Sequence, residues 1–490
     1  MELLLLPEEM LLALMRYLDA RDLLCCRLVC KRIGQLALHP HLWRRLRVYE
    51  YEGDRHLACP VLRLAPLLGL LDAEVPSKEC QLALASTRCA VTELQLTVHQ
   101  GGAVLAAAVI RNQEALGRLK RLDIAFSPWD LGTGVDLLLR TVALTSGLES
   151  LSINEVPFHS TSTVDILVRH STRLCKPSLR KFRGHHLQYA SHAEAFVDFV
   201  LASHAASLEE VDLLRRVSWE PEEYPVTASR ALLLAGMPNL RKLSCFSMPG
   251  LEAVAVRETL EVVTLAMRLK TTSDADRVAV AAAAEFLRRG AGQLREVTLI
   301  FHIDRSCASA EGPEDDDDDP DRVNTDFITA LATSGRSTVE FLSISGEHAT
   351  STSRLQLCTA LLDTMPSLSA LRRLEVGGHV AVDQLLLGIT PASAPVLQSL
   401  LLHPKPSLPC VHAWLHDGGD AVGTALSVNP ALQVFVRRTP PKHCSENKLC
   451  AVCALGCHRD RPWYSDYDDA RIYPCFEGFC LLLPRNEFCN

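Results

Sequence analysis

The chain has 490 residues, 48% of them hydrophobic and 22% charged, enough apolar content to bury a large core and too little charge for general disorder. Its net charge of −8 is concentrated between positions 311 and 321, which hold eight acids (Glu311, Glu314, Asp315 to Asp319, Asp321) and no Lys or Arg; with those eight removed from the 58 acids, 50 remain against 50 bases. The neutral remainder offers no basic field to nucleic acid or anionic lipid, and the acidic block reads as a solvated insertion.

The opening run Met1–Leu6 is short, lacks a basic flank and meets Pro7-Glu8-Glu9, which argues against a signal peptide. Apolar stretches such as Ala103–Ile110 and Val278–Ala284 are too short to span a bilayer. The 18 cysteines are mostly scattered through apolar runs, as at Cys25, Cys26, Cys30, Cys245 and Cys358, and are expected as reduced core thiols. The expectation is a soluble protein of the cytoplasm or nucleus.

The strongest local pattern lies at residues 6–46. Pro7 suits the start of a helix, and Glu8 and Glu9 complement the positive end of its dipole. Apolar residues recur at Met10, Leu11, Leu14, Met15 and Leu18, a helical stripe. Asp19 can cap a second helix, whose cluster is Leu23, Leu24, Leu28, Val29 and Cys30. A third helix carries Ile33, Leu36, Ala37 and Leu38; His39-Pro40 ends it, and Leu42-Trp43-Arg44-Arg45-Leu46 opens another amphipathic turn. Such short helices cannot bury all this apolar surface among themselves, so something must cover the rest. Periodicity alone favours a helical cap on the next domain.

The ordered string Leu6-Pro7-x-Glu9, Leu18-Asp19-x-x-Asp22-Leu23, Leu28-Val29-Cys30-Lys31-Arg32 and His39-Pro40-x-Leu42-Trp43-x-x-Leu46 resembles the F-box family over the motif's full length. Ile33 departs from the Trp many F-boxes carry there, but keeps the position apolar. The resemblance implies an all-α module, residues 1–50, that docks on the Skp-type adaptor of cullin–RING ubiquitin ligases. Carried over by position, the contacts are Leu6, Pro7, Met10, Leu18, Leu23, Leu28, Val29, Cys30 and Lys31, while Trp43 closes the module's own core.

From residue 91 to 438 apolar residues return at positions one, four and six of a short pattern: Val91-x-x-Leu94-x-Leu96, Leu119-x-x-Leu122-x-Ile124, Leu148-x-x-Leu151-x-Ile153, and so on to Leu397-x-x-Leu400-x-Leu402. Leu179-x-x-Phe182 and Leu432-x-x-Phe435 are degraded copies. Starts at 91, 119, 148, 179, 208 and 240 give steps of 28, 29, 31, 29 and 32. Helix-like stretches such as Val104–Leu116, Asp136–Leu144, Ala193–Ala205, Arg277–Arg289 and Leu355–Met365 lie between copies. The step from 240 to 260 leaves little room for one, and the long step from 294 to 339 contains the acidic insertion. A strand, a turn and a helix repeating at this spacing resembles the leucine-rich repeats, as a divergent member without their Asn or Cys ladder. An ordinary α/β domain is the alternative, but a doubly wound sheet usually shows longer apolar strands and a Gly-rich loop. The expected fold class is therefore an α/β repeat: the F-box, a linker or N-terminal cap at 51–90, and an irregular solenoid of strand–turn–helix units.

In each strand the intervening positions face out, on the concave sheet of such a solenoid. They carry the candidate substrate-binding residues Arg121, Asp123, Glu210, Asp212, Lys242, Glu296, Arg373 and Glu375, with Ser343 among their neighbours. This surface reads as polar, mixed in sign and nearly devoid of aromatics, suited to a protein partner.

The tail 439–490 packs Cys444, Cys450, Cys453, Cys457, Cys475, Cys480 and Cys489 with His443 and His458. Cys450-x-x-Cys453 with Cys457 or His458 and Cys475 could supply four zinc ligands, but no second CxxC follows, and the reading preferred is a thiol-rich C-terminal cap. His302-Ile303-Asp304 has the spacing of a facial-triad fragment without a supporting distal His. The Asp315–Asp319 run lacks the Gly and closing Glu of a calcium loop. With no nucleotide loop or nucleophile elbow either, no catalytic, metal or cofactor site is expected. The expected function is a non-enzymatic substrate-recognition adaptor of an SCF-type ligase; the alternative is a Skp-binding scaffold acting outside a cullin ligase.

Overall fold

The computed structural model describes residues 5–50, 55–77, 80–127, 134–154, 178–185, 191–214, 228–268, 274–302, 325–333, 335–346, 351–377, 381–402, 419–437 and 479–482. Four short helices open it: α1 (Glu8–Met15), α2 (Ala20–Cys26), α3 (Lys31–Ala37) and α4 (Pro40–Trp43). Pro7 stands one residue before α1 rather than inside it, and its carbonyl accepts from the Met10 and Leu11 N–H groups at 3.1 Å. Asp19 Oδ1 accepts from the Asp22 N–H at 2.8 Å, and Cys30 Sγ from the Ile33 N–H at 3.5 Å, so α2 and α3 begin on side-chain caps. Leu11, Met15, Leu23, Ile33, Leu36 and Trp43 make the core of this module. Trp43 is fully buried, and its indole N–H donates to the Ala37 carbonyl at 2.7 Å.

The chain then divides into two compact units, one of Met1–Trp219 with Gly236–Leu240, the other of Glu220–Ala235 with Arg241–Asn490. The repeat pattern does not announce this division. In the first unit the described strands are β1 (Arg47–Tyr49), β2 (Leu67–Val75), β3 (Ala90–Val98), β4 (Arg121–Phe126), β5 (Ser150–Asn154), β6 (Lys181–His185) and β7 (Glu210–Asp212). Each pairs in parallel with the next. Helices α5 (Arg55–Leu64), α6 (Gln81–Ser86), α7 (Ala103–Ala115), α8 (Val135–Leu144) and α9 (Ser191–His204) lie in the crossovers. The sheet thus starts before the repeat pattern does, because β1 and β2 precede position 91.

Segment 51–90 is consequently a mount as well as a connection. The chain leaves α4 directly into β1, whose Arg47 stands opposite Leu70 of β2. Gly69 permits this approach, since a Cβ there would lie 2.7 Å from the Arg44 carbonyl oxygen and 2.9 Å from that of Leu46. Glu50 is buried at the end of β1 and locks the joint: its N–H donates to the Asp72 carbonyl at 3.0 Å, and its carboxylate accepts from the Glu74 N–H at 3.1 Å and from the Ser77 hydroxyl.

In the second unit, α10 (Ala228–Ala235) precedes β8 (Lys242–Phe246), β9 (Val262–Arg268), β10 (Glu296–His302), β11 (Phe341–Gly346), β12 (Arg373–Val376), β13 (Ser399–Leu402) and β14 (Gln433–Arg437), again parallel and in chain order. The crossovers hold α11 (Asp274–Gly290), α12 (Asp326–Thr333), α13 (Ser351–Thr364), α14 (Val382–Gly388) and α15 (Gly419–Val428). The short step from 240 to 260 holds a 3-10 turn, Leu251–Val256, in place of an α-helix. The last described strand, β15 (Phe479–Leu482), runs antiparallel along β14.

Position-four residues stand in register across each unit and are buried: Leu94, Leu122, Leu151, Phe182 and Val211 in one, Leu243, Val263, Val297, Leu342, Leu374 and Leu400 in the other. Each fully buried aliphatic contributes about 1.5–3 kcal/mol, so stacked repeats share one core that no single repeat could form. In place of an Asn ladder, a hydroxyl just before position one bonds back to the position-one carbonyl of the preceding repeat. Ser178 donates to Leu148 at 2.9 Å, Ser207 to Leu179 at 2.8 Å, and Thr338 to Leu294 at 3.0 Å. The degraded copy Leu432-x-x-Phe435 is read one residue out of phase. Leu400 pairs with Val434 and Leu401 with Phe435, so Phe435 points to the opposite face from the one expected. Alternation of strand and helix in a parallel sheet is compatible with a repeat solenoid.

Candidate binding surfaces

The helices of the N-terminal module leave large apolar side chains uncovered. Met10 and Leu14 lie at i and i+4 on α1, and Tyr17, in the turn that follows the helix, is 90% exposed. In the turn between α2 and α3, Leu28 is 81% and Val29 69% exposed. Pro7 and Lys31 are also exposed, while Leu6, Leu18 and Cys30 are half-buried. A module with so firm a core and so much apolar surface is built to be covered. Residues 3–49 match the F-box-like family. No curated protein matches the chain.

Within the F-box-like module, the structure separates the residues expected to touch an adaptor. Pro7, Met10, Leu28, Val29 and Lys31 offer surface, and Leu6, Leu18 and Cys30 offer part of theirs. Leu23 does not: it is 1% exposed and belongs to the module's own core. The contact expected of it is corrected by the turn of α2, which aims position 23 inward and leaves the residues after the helix outside. Leu14 and Tyr17 were missed, although their spacing from Met10 is that of one helix face. Arg32 braces the leading segment by donating from Nη2 to the Leu6 carbonyl at 2.8 Å.

On the sheets, positions three and five of the pattern form rows on the face away from the helices. In the first unit the position-three row is Glu93, Arg121, Ser150, Lys181, Glu210, and the position-five row Gln95, Asp123, Ser152, Arg183, Asp212. Two pairs of charges in the position-three row are already matched within the chain. Arg121 forks onto Glu93 at 2.9 and 3.0 Å, and Lys181 meets Glu210 at 3.0 Å. Asp123 accepts from Asn154 Nδ2 at 3.2 Å, and Asp212 from the Leu214 N–H at 3.1 Å. All four candidates expected in this unit therefore have intramolecular partners.

The second unit differs. Its position-three row is Lys242, Val262, Glu296, Phe341, Arg373, Ser399, Gln433. An apolar side chain separates each charged one from the next, so among the described residues Lys242, Glu296 and Arg373 form no ion pair; Arg373 instead lies over the Phe341 ring at 5.0 Å. The expected polar, aromatic-poor surface is corrected here. Phe246, Val262, Ile300 and Phe341 are half-buried on this face, and Leu401 and Phe435 are buried on it. Ser343, expected to face out, is 6% exposed, and Glu375 at position five is half-buried.

The cysteines depart in part from the expectation of reduced core thiols. Cys89, Cys245 and Cys358 are buried thiols, but Cys25 is exposed, Cys26 and Cys30 are half-buried, and Cys59 is bonded to Cys80 with their Cα atoms 5.5 Å apart. Burial pushes the Cys89 thiol up to about 12 and the Cys358 thiol up to about 11. No helix among the described residues is long and apolar enough to cross a membrane. Also among the described residues, no group of His, Cys, Asp and Glu is placed to hold a metal ion. The acidic run 311–321, Ile303 and Asp304 of the His302 triplet, and all of the Cys-rich tail except Phe479–Leu482 lie outside the described residues.

Proposed function

We propose that the chain is a non-catalytic substrate-recognition subunit, in which the F-box-like module holds the Skp-type adaptor of a cullin–RING ubiquitin ligase and the sheet array holds a protein substrate. The observation that carries the reading is the uncovered apolar surface of Met10, Leu14, Tyr17, Leu28 and Val29 on a module whose core is otherwise complete. F-box domains in general bind Skp-type adaptors, and exposed apolar anchors of this size are where binding energy concentrates. The mechanism is proximity: a substrate lysine held near a charged conjugating enzyme reacts at high effective concentration, and no side chain of this chain performs the chemistry. On this reading residues 1–50 are the docking module, 51–438 the mount and array, and 439–490 a cap, in a protein of the cytoplasm or nucleus.

The test is calorimetric titration of purified adaptor into the full chain and into a Leu28→Asp, Val29→Asp variant. Both positions are exposed, so the variant is expected to fold while losing about 2 kcal/mol or more of binding, roughly thirtyfold or beyond. Trp43→Ala should instead lower stability by about 3–5 kcal/mol and serves as the folding contrast. Unchanged adaptor affinity in the double variant would overturn the contact surface. Co-purification that recovers the adaptor without cullin and RING subunits would favour the scaffold reading.

A further inference from the structure

The two units present their odd-position charges differently, and the difference assigns their roles. In the position-three row of the first, acids and bases stand on neighbouring strands and neutralise one another, as Arg121 does with Glu93 and Lys181 with Glu210. A partner would have to displace those pairs. In the second, the row Lys242, Val262, Glu296, Phe341, Arg373 alternates charge with apolar side chain, and the charges alternate in sign. Lys242, Glu296 and Arg373 are exposed, Val262 and Phe341 half-buried.

We infer that this row is a docking surface for an amphipathic helix of the partner protein, lying across the strands, that carries acid, base and acid at successive heptad positions with apolar residues between them. The inference rests on the reading of the array as the substrate-binding half, and is independent of what the F-box-like module recruits. Neighbouring strands are about 4.8 Å apart, so like-placed charges two strands apart recur every ~9.6 Å. A helix advances about 10.5 Å per heptad, and its i+3 or i+4 side chains fall near the half-way point. Acids would meet Lys242 and Arg373, a base would meet Glu296, and the intervening apolar residues would cover Val262 and Phe341. The mismatch is about 1 Å per heptad, within the reach of long flexible side chains. An extended strand, at about 3.3 Å per residue, falls out of step with the rows within a few residues. The charge order acid–base–acid reads the same in both directions, so the row by itself does not select helix polarity.

Three labelled Ala-rich peptides test this by fluorescence anisotropy against the full chain: one with Glu, Lys, Glu at heptad spacing and Leu between, one with the charges reversed to Lys, Glu, Lys, and one with the first sequence interrupted by two central prolines. The first should bind at least about tenfold more tightly than either of the others. On a Lys242→Glu, Glu296→Lys, Arg373→Glu chain, folded by circular dichroism, the preference between the first two should invert. Equal binding of the charge-reversed or the proline-broken peptide, or no binding of any, overturns the inference on the unaltered chain alone. Adaptor affinity of the triple variant, measured alongside, should stay unchanged, which separates failure of this surface from failure of the F-box reading.

Discussion

At the scale of single residues, Leu23 and Leu28 show what a helical stripe leaves undecided. Both are leucines in one apolar cluster, and both fit an adaptor contact by position. Leu23 lies inside α2 and is buried, whereas Leu28 follows the helix and stands in solvent. Hydrophobicity specifies that a side chain will be covered, but not by which molecule. The cysteines make the same distinction chemically. Folding favours the neutral thiols of Cys89 and Cys358, whose folded values near 12 and 11 exceed the ordinary 9.0. Their contribution to stability is therefore complete below pH 9 and is lost as pH rises toward those values, because the unfolded chain sheds protons that the native one retains. Alkylation with iodoacetamide at pH 9, followed by peptide mass spectrometry, should modify exposed Cys25 while sparing Cys89 and Cys358 until urea is added. Modification of Cys89 at the rate of Cys25 in the native chain would refute its burial.

At the scale of elements, position two of the pattern carries an alternation that the sequence displays only once the strands are paired. In the first unit it runs Lys120, Glu149, Arg180, Glu209, linked by backbone bonds of 2.8–2.9 Å from each N–H to the preceding carbonyl. Lys120 meets Glu149 at 3.2 Å, and Arg180 lies 3.7 Å from Glu209. The second unit continues in the same style with Arg241, Glu261, Arg295, Glu340 and Arg372. Like charges directly opposite one another destabilise a sheet, so this order disfavours any pairing that skips a repeat. Glu149→Lys, flanked by Lys120 and Arg180, should cost about 1 kcal/mol in a urea titration, more than Glu149→Gln, and the gap should narrow at high salt. A salt-independent loss would show that the ladder contributes nothing. The strands were legible because Leu, Val and Ile at positions four and six must be buried. Their lateral partners were not, since repeat steps that vary from 20 to 45 residues hide which charges become neighbours.

At the scale of the whole chain, the ends of the array carry the features a repeat pattern cannot specify. The N-terminal module enters the sheet through β1, with Gly69 and Glu50 shaping the joint. At the other end, β15 runs antiparallel along β14 and occupies its free edge. An uncovered edge strand is a template for pairing with another chain. A chain ending after Arg437 should therefore form larger species than the full chain in sedimentation and light scattering. Identical sedimentation of the two would mean that β15 is not what protects the edge.

The sequence by itself determined the F-box-like module, through the order and spacing of its motif, and the inward face of most strands, through a period of two that burial enforces. Only the tertiary structure decided that the array begins at β1, that β14 is set one residue from its apparent phase, and that Leu23 is core rather than surface. It alone showed that the position-three row carries ion pairs in one unit and alternates charged with apolar side chains in the other. Periodicity records which side of a strand meets water; the neighbours on that side are chosen by connections of unequal length, and these are settled only when the chain packs.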